Sequence, residues 1–442
     1  MKKILAVWIT KFLIFAGKLA GKKGSSTPGA VALKICPDIL KWLSGQVKGS
    51  IVAVCGTNGK TTTNNLLYSI LKSQGKKVVC NNVGANMLEG VATTFISNTN
   101  FFGKLDADYA CIEIDEVSTV KVFDHMVPNF MIITNLFRDQ LDRYGEIDIT
   151  IDFLKRAISK TGDITLILNA DDPLVTAFGR ETGKKCVYFG VGEDVGASLN
   201  ETKEGRFCRF CGSELAYQFY HYSQLGNYGC IKCGFSRPAA DFEALNVDLS
   251  DGLSFTVNNQ EISVDYRGFY NIYNILAAYS AASLIGASLE NVHKVLGEYK
   301  PQIGRMETFT IHGKPVILNL SKNPAGFNQT ISTIASDSRK KDILVVINDN
   351  AQDGRDVSWL WDVDFERLGA VNASSFTASG IRFHDVLVRF KYAQLDNFSS
   401  EADVKAAILK CLEGDGEVLY VLVNYTVLFS TQKILKSLEG NK

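Results

Sequence analysis

The 442-residue chain has no excess of either charge: Lys plus Arg and Asp plus Glu both number 47. A balanced chain offers nucleic acid no global basic field, so binding of that kind would need a local patch. It also lacks a long apolar run. The most apolar stretch, Ile4 to Leu19, is interrupted by Lys11 and ended by Gly17-Lys18, short of the roughly 20 residues a membrane helix needs. No internal repeat is present. A disulfide framework is missing as well: four of the ten cysteines stand in paired spacing and the rest are scattered through apolar runs, which points to a reducing cytoplasm. Histidine is scarce, and none of the five lies near a cysteine in a recognisable nucleophile motif. What is present, 46% apolar and 21% charged residues, is ordinary for a globular protein with room for two or three domains.

The first 23 residues depart from this balance, with six lysines, no acid and ten large apolar residues. They read either as a basic amphipathic helix lying on anionic lipid or as a helix packed on the next domain. Gly21 to Gly29 (GKKGSSTPG) reads as a linker-like break. Residues 1–48 are therefore expected to be an N-terminal helix and linker.

Chemistry enters at Gly56-Thr57-Asn58-Gly59-Lys60-Thr61-Thr62. The β-branched run Ile51-Val52-Ala53-Val54 before it reads as a buried strand, and Thr63 to Leu71 after it as a helix. Strand, glycine turn, Lys-Thr and helix is the context a P-loop requires. Gly56 and Gly59 would let successive N–H groups converge on phosphate oxygens at a helix N-terminus. Lys60 would reach the outer phosphates and Thr61 would ligate Mg²⁺. Counted from Gly56, the spacing is two residues shorter than the general pattern. A tight strand-to-helix turn with an incidental lysine is the alternative, and Cys55 reads as strand packing.

From Ile51 onward apolar strands alternate with helical segments, through Lys77–Cys80, Tyr109–Ile114, Phe130–Asn135 and Ile164–Asn169. That pattern predicts an α/β fold with a parallel sheet covered on both faces. Polar residues at the C-terminal strand ends (Gly56, Glu113, Asn135, Asn169) stand where open α/β sheets bind ligands. A C-terminal Rossmann-like α/β domain is expected from Pro315–Leu318, Ile343–Ile347, Ser375–Ala378 and Glu417–Leu422. Between residues 200 and 240 the pattern turns aromatic and cysteine-rich. There Cys208-x-x-Cys211-Gly212 and Cys230-x-x-Cys233-Gly234 enclose an 18-residue spacer. Two such knuckles complete a tetrahedral four-thiolate site, which favours structural Zn²⁺; a redox pair or an iron–sulfur centre is the competing reading.

Several motifs, in order, resemble the Mur ligases and folylpolyglutamate synthases. The P-loop resembles that family's ATP loop, and Glu113-Ile114-Asp115-Glu116 stands at its acidic Mg²⁺ site. Thr134-Asn135 to Asp139-Gln140-Leu141-Asp142, Asn169-Ala170-Asp171-Asp172-Pro173, Asn271-Ile272-Tyr273-Asn274 and Gly304-Arg305-Met306-Glu307 resemble further family motifs. The resemblance implies a central ATP-binding domain over 49–302, with a zinc-ribbon insertion at 200–240, and a last domain over 303–442. It implies ATP contacts from Gly56, Thr57, Asn58, Gly59, Lys60, Thr61, Thr62, Asn271, Asn274 and Arg305, with Mg²⁺ held by Thr61 and Glu113. Catalytic duty would fall on Lys60, Glu113 and Arg305.

Departures from the family pattern narrow the reading. Gln140 replaces a metal-placing histidine, Lys155 is an insecure match to a carbamylated lysine, and Leu320 to Gly326 replaces the amino-acid-binding motif. With the cysteine insertion and Asp349 to Trp359, these changes resemble a glutamine-dependent amidating branch of the family from Gram-positive bacteria. Such a chain would be the synthetase half of a heterodimer with a GatD-like glutamine amidotransferase. It would amidate D-glutamate in the stem peptide of lipid II through an acyl phosphate, in the cytoplasm at the inner face of the membrane, with no nucleic acid partner. Asp356 would then supply a catalytic carboxylate to the partner's histidine; alternatively it caps the helix that follows. An amino-acid-adding ligase, and a nucleic-acid-binding protein reading through Phe207, Phe210, Tyr217, Phe219 and Tyr220, are the other function classes.

Overall fold

The computed structural model describes residues 1–19, 26–81, 85–138, 146–196, 205–250, 252–266, 268–299 and 304–440. Gln140, Lys300 and the 301–303 segment, where the last domain was expected to begin, lie outside these. The chain divides into two units, one of residues 1–137, 147–265 and 269–299, the other of 138–146, 266–268 and 300–442.

The first unit opens with three helices, α1 (Lys2–Leu19), α2 (Thr27–Ile35) and α3 (Ile39–Ser44). The expected linker over Gly21–Gly29 is shorter than its composition indicated, because α2 starts at Thr27 with Pro28 in its first turn. Gly29 lies inside α2 at a close crossing: a Cβ there would sit 1.8 Å from the Glu89 carbonyl oxygen. The sheet follows through β1 (Ile51–Cys55), α4 (Lys60–Ser73), β2 (Val78–Cys80), α5 (Leu88–Ser97), β3 (Tyr109–Glu113), α6 (Thr119–Phe123) and β4 (Phe130–Ile133). It continues with α7 (Ile147–Ser159), β5 (Thr165–Asn169), α8 (Pro173–Thr182) and β6 (Lys185–Val191). The hairpin β7 (Ala216–Tyr222) and β8 (Leu225–Gly229) intervenes before β9 (Phe242–Asp248), β10 (Leu253–Val257) and β11 (Gln260–Val264). Nine of these strands form one sheet in the order β11-β10-β9-β6-β5-β4-β1-β3-β2. From β2 to β9 the pairs are parallel, and β10 and β11 run antiparallel at the edge.

Fully buried strands such as β1, and buried apolar residues of the flanking helices, build the core. Helix α9 (Tyr270–Leu284) is buried continuously from Asn271 to Ala282, which explains its lack of a polar stripe. The short α10 (Val292–Glu298) closes the unit.

The second unit holds a six-stranded sheet, with β12 (Glu307–Ile311), β13 (Lys314–Leu320), α11 (Pro324–Ser336), β14 (Lys341–Val346), β15 (Ala373–Ser379), α12 (Phe383–Tyr392), β16 (Phe398–Ser400), α13 (Val404–Leu412), β17 (Val418–Val423) and α14 (Tyr425–Glu439). The strand order is β12-β13-β17-β14-β15-β16, with β12 alone antiparallel. Central strands β14 and β17 are buried along their whole length, as a parallel sheet covered on both faces requires. The edge strands β12 and β16 are the two the sequence pattern did not announce.

Candidate functional site

The C-terminal ends of β1, β3 and β4 gather the polar residues picked from the sequence. Gly56 and Gly59 both take positive φ, +118° and +86°, so the loop turns back on itself before α4 starts at Lys60. Gly59 is doubly constrained. A Cβ there would come within 2.1 Å of the Asn274 Oδ1 on α9, and left-handed φ adds strain for any other residue. Gly59→Ala is expected to weaken ATP binding by on the order of tenfold or more, since the turn must open by that clash; titration with a fluorescent ATP analogue measures it.

Lys60 does not project into solvent. Its Nζ donates to the Gly56 carbonyl at 2.5 Å and to Glu116 Oε1 at 2.8 Å, with both side chains of the ion pair about nine-tenths buried. Burial works against the Lys60 charge, but the carboxylates of Glu116, Glu113 and Asp115 outweigh it and hold the ammonium above its ordinary range. Burial pushes the Glu116 carboxyl up, against the pull of Lys60. Glu116 Oε1 also accepts the Gly56 N–H at 3.0 Å, so one carboxylate oxygen engages a loop amide and the loop lysine together. Those are donors a P-loop offers to phosphate. The motif Glu113-Ile114-Asp115-Glu116 named this carboxylate without singling it out.

Thr61 and Glu113 meet as expected: Thr61 Oγ1 donates to Glu113 Oε2 at 2.7 Å. Glu113 is fixed from behind, its Oε1 accepting from Asn86 Nδ2 at 3.0 Å, while its N–H and C=O pair with the Asn81 side-chain amide. A hydroxyl and a carboxylate, both oxygen donors held in place, suit a hard divalent cation. Asn135 organises the loop, accepting the Asn58 N–H at 2.9 Å and donating to the Asn58 carbonyl. Thr57 is buried, and its hydroxyl both donates to the Phe137 carbonyl and accepts the Phe137 N–H. Thr62, in the first turn of α4, is half-buried. Asn274 stands beside Gly59 and donates its Nδ2–H to Asn271 Oδ1 at 3.0 Å. Asn135 was read from the sequence as a strand-end residue, and its hold on Asn58 is a further contribution.

Cys208, Cys211, Cys230 and Cys233 form one cluster in which the four sulfurs lie within 4.8 Å of one another. The Cys208–Cys233 and Cys211–Cys230 separations are 3.5 and 3.4 Å, near the about 3.8 Å edge of a tetrahedron with 2.3 Å metal–sulfur bonds. Each knuckle closes on its glycine, Gly212 at φ +70° and Gly234 at φ +73°, through N–H donation to the carbonyls of Cys208 and Cys230. Of the surrounding aromatic residues, Phe210, Tyr217, Tyr228 and Phe235 pack in the cluster's small core, while Phe207 is 57% exposed. Phe210 meets Phe235 edge-on at 4.9 Å, and Tyr217 stacks on Tyr220 at 4.0 Å. The cysteine-rich insertion is tied to the rest of the unit by Arg180 of α8 over the Phe210 ring, by Arg237 on Asp171 after β5 and by Gln224 on the Leu136 carbonyl after β4.

In the second unit, Arg305 stands half-buried before β12, after Gly304 at φ +71°. Asp356 accepts the Ser358 N–H at 2.8 Å, a local turn just ahead of the short 3₁₀ helix Ser358–Asp362, whose N-cap position is Val357 rather than Asp356. The bonds from Ser358 hold its carboxyl below the ordinary range, leaving it ionised near neutral pH. Asn323 of the altered Leu320–Gly326 motif caps α11 through the Gly326 N–H. Lys155 pairs with Glu181 at 3.3 Å.

A family profile described as "Mur ligase middle domain" matches residues 54–228, and one described as "MurT ligase C-terminal" matches 320–428. The chain is 36% identical, over all of its length and all of the relative's, to "Lipid II isoglutaminyl synthase (glutamine-hydrolyzing) subunit MurT" of Staphylococcus aureus strain COL. The Streptococcus pneumoniae R6 protein of that name is 36% identical over 94% of this chain and 93% of its own. Among solved structures, a pseudomurein peptide ligase type C from Methanothermus fervidus superposes with TM-score 0.71 at 24% identity, covering 94% of this chain and 85% of that one. MurF ligase from Thermotoga maritima in complex with ADP does so with TM-score 0.61 at 14% identity, covering 93% and 85%. Both share the fold.

Proposed function

Because the chain belongs to the MurT family of Mur-type ligases, we propose that it is the synthetase subunit of a glutamine-hydrolysing lipid II isoglutaminyl synthase. Its reaction is the ATP-dependent amidation of the α-carboxylate of D-glutamate in the lipid II stem peptide to D-isoglutamine, a step of peptidoglycan synthesis. The full-length match at 36% identity carries this reading, and the P-loop side chains supply its chemistry.

A carboxylate does not exchange oxygen for nitrogen until that oxygen can leave. In the proposed reaction a glutamate carboxylate oxygen attacks the γ-phosphorus of ATP, ADP departs, and an acyl phosphate forms. Ammonia then adds to the carbonyl carbon, the C–O bond to phosphate breaks, and the nitrogen sheds a proton. Lys60 would exchange Glu116 for phosphate oxygens, and the loop amides would hold the transferring group as its charge spreads. Mg²⁺, bound by Thr61 and Glu113, would neutralise phosphate charge. Arg305 is proposed as a further phosphate clamp, and Asn271 and Asn274 as the nucleoside-side contacts.

Free ammonia is scarce near neutral pH, and the sequence holds no recognisable glutaminase motif. Ammonia is therefore assigned to a GatD-like glutamine amidotransferase partner, with Asp356 orienting the partner's catalytic histidine. Since lipid II is membrane-held, the complex is placed in the cytoplasm at the inner face of the membrane. Supplying ammonia or single amino acids with ATP and lipid II tests the reaction class: turnover with ammonia alone fits amidation, and turnover with an amino acid would make the chain an adding ligase.

We assign Zn²⁺ to the four cysteines, where it would fasten the two knuckles. Metal analysis is expected to return one zinc per chain. Cys208→Ser is expected to lower that content and the melting temperature before it alters nucleotide affinity, because the cluster packs its own small core. Iron with a visible absorption band would contradict the assignment.

A further inference from the structure

Helix α1 is amphipathic in the reverse of the usual sense. The residues it buries completely are the modest Ala6, Val7 and Thr10, set toward α2 and α5. Five of its bulky residues face out, with Leu5, Trp8, Phe12, Phe15 and Leu19 50–75% exposed, while Ile4, Ile9, Leu13 and Ile14 are half-buried. Their spacing of three, four, three and four residues places them in a single stripe along the helix.

A second segment extends this apolar face. The turn after α5 presents Phe101 and Phe102, 69% and 78% exposed. It is bound to α1 at two points: Trp8 Nε1 donates to the Phe101 carbonyl at 2.7 Å, and Lys11 Nζ donates to the Thr99 carbonyl at 2.7 Å. The turn is therefore held beside α1, with Lys11 Nζ over the Phe101 ring. A water-facing helix that hides small residues and shows large ones, with a diphenylalanine turn locked beside it, is a surface shaped for contact.

Charge identifies the occupant. The first 37 residues contain no acid. Lys2, Lys3 and Lys18 are exposed on α1, and Lys104 is exposed in the adjoining turn. Asp106, just beyond, is occupied by Lys48 at 2.6 Å and by Lys77. Aromatic and leucine side chains beside uncompensated lysines match an anionic lipid surface, with rings at the headgroup level and ammonium groups among the phosphates. A second copy of the chain fits poorly, since a self-complementary interface would set like charges against each other. No helix among the described residues is long and apolar enough to cross a membrane, so contact would be at the surface.

We propose that the outer stripe of α1 and the Phe101-Phe102 turn together seat this protein on anionic lipid. The inference rests on the proposed function for its purpose, reaching a lipid-borne substrate, while its geometry stands apart from it. Full-length protein is expected to sediment with vesicles of phosphatidylglycerol and phosphatidylcholine, to bind pure phosphatidylcholine much less, and to be released by raised salt. Phe12→Ser with Phe15→Ser, and separately Phe101→Ser with Phe102→Ser, should each weaken that binding by on the order of tenfold or more without changing the melting temperature. Wild-type protein remaining in the supernatant with both vesicle types, or variants binding like wild type, would overturn the proposal. So would a wild-type dimer that the Phe12 and Phe15 substitutions dissociate, which would assign the face to a second copy. Amidation of detergent-dispersed lipid II separates the two ideas. Activity there without vesicle binding rejects only the lipid surface, and vesicle binding without activity rejects only the enzymatic reading.

Discussion

Lys60→Ala is expected to reduce ATP turnover by on the order of a thousandfold or more, below detection in most assays, while the protein stays folded. Lys60 is buried against Glu116 rather than packed in the apolar core. Removing one member of a buried ion pair usually costs stability because a bare charge remains. Here burial already pushes the Glu116 carboxyl up, which eases that cost by favouring its neutral form once the ammonium is gone. The substitution therefore removes positive charge where the γ-phosphoryl group would transfer, with modest loss of fold. ADP release in the complex, followed beside thermal melting, checks it. A folded variant with unchanged turnover would remove the P-loop from the mechanism.

The second large effect is expected at Asp356. Asparagine keeps a side-chain oxygen that can accept the Ser358 N–H, so Asp356→Asn preserves this turn and removes only the charge. Melting temperature, complex formation and ATP binding should match wild type. Glutamine-dependent amidation should fall by on the order of a hundredfold or more, the scale on which a histidine-orienting carboxylate acts. Free ammonia at raised pH should restore much of the rate, because the phosphoryl-transfer residues are untouched. Glutamine hydrolysis at the wild-type rate in the variant complex would leave Asp356 with its turn-forming bond to Ser358 alone.

How much of this was legible in the sequence varies with the kind of signal. The P-loop was readable because phosphate binding demands glycine at particular turns, and Gly56 and Gly59 do adopt positive φ. The cysteine cluster was readable because spacing alone limits what two knuckles can reach, and the four sulfurs do converge. Strands such as β1, β14 and β17 announced themselves by unbroken apolar runs, whereas β6 and β9, within the same large sheet as β1, were not read. The edge strands β12 and β16 were not read either, being partly exposed and short of that pattern. Helix α2 was masked by Pro28 and Gly29, a pair that marks a turn by composition yet here serves a helix start and a tight helix crossing. Glu116 shows the limit at the site itself. Four residues in a row, three of them acidic, say that carboxylates cluster after β3, but not which one turns toward Lys60. That depends on how the loop after Glu113 folds over β1, which only the three-dimensional arrangement supplies. The outward stripe of α1 was half visible: its apolar and basic composition stood out, whereas which face the helix buries depended on α2 and α5.

The central claim, glutamine-dependent amidation of lipid II, is tested most directly by mass spectrometry of lipid II after incubation with this chain, a GatD-like partner, ATP and glutamine. The account predicts a product in which one stem-peptide hydroxyl is replaced by an amino group, located by fragmentation at the α-carboxyl of D-glutamate and absent when ATP is withheld. Unmodified lipid II from an active, ATP-binding complex, or a product enlarged by an amino-acid residue, would contradict it.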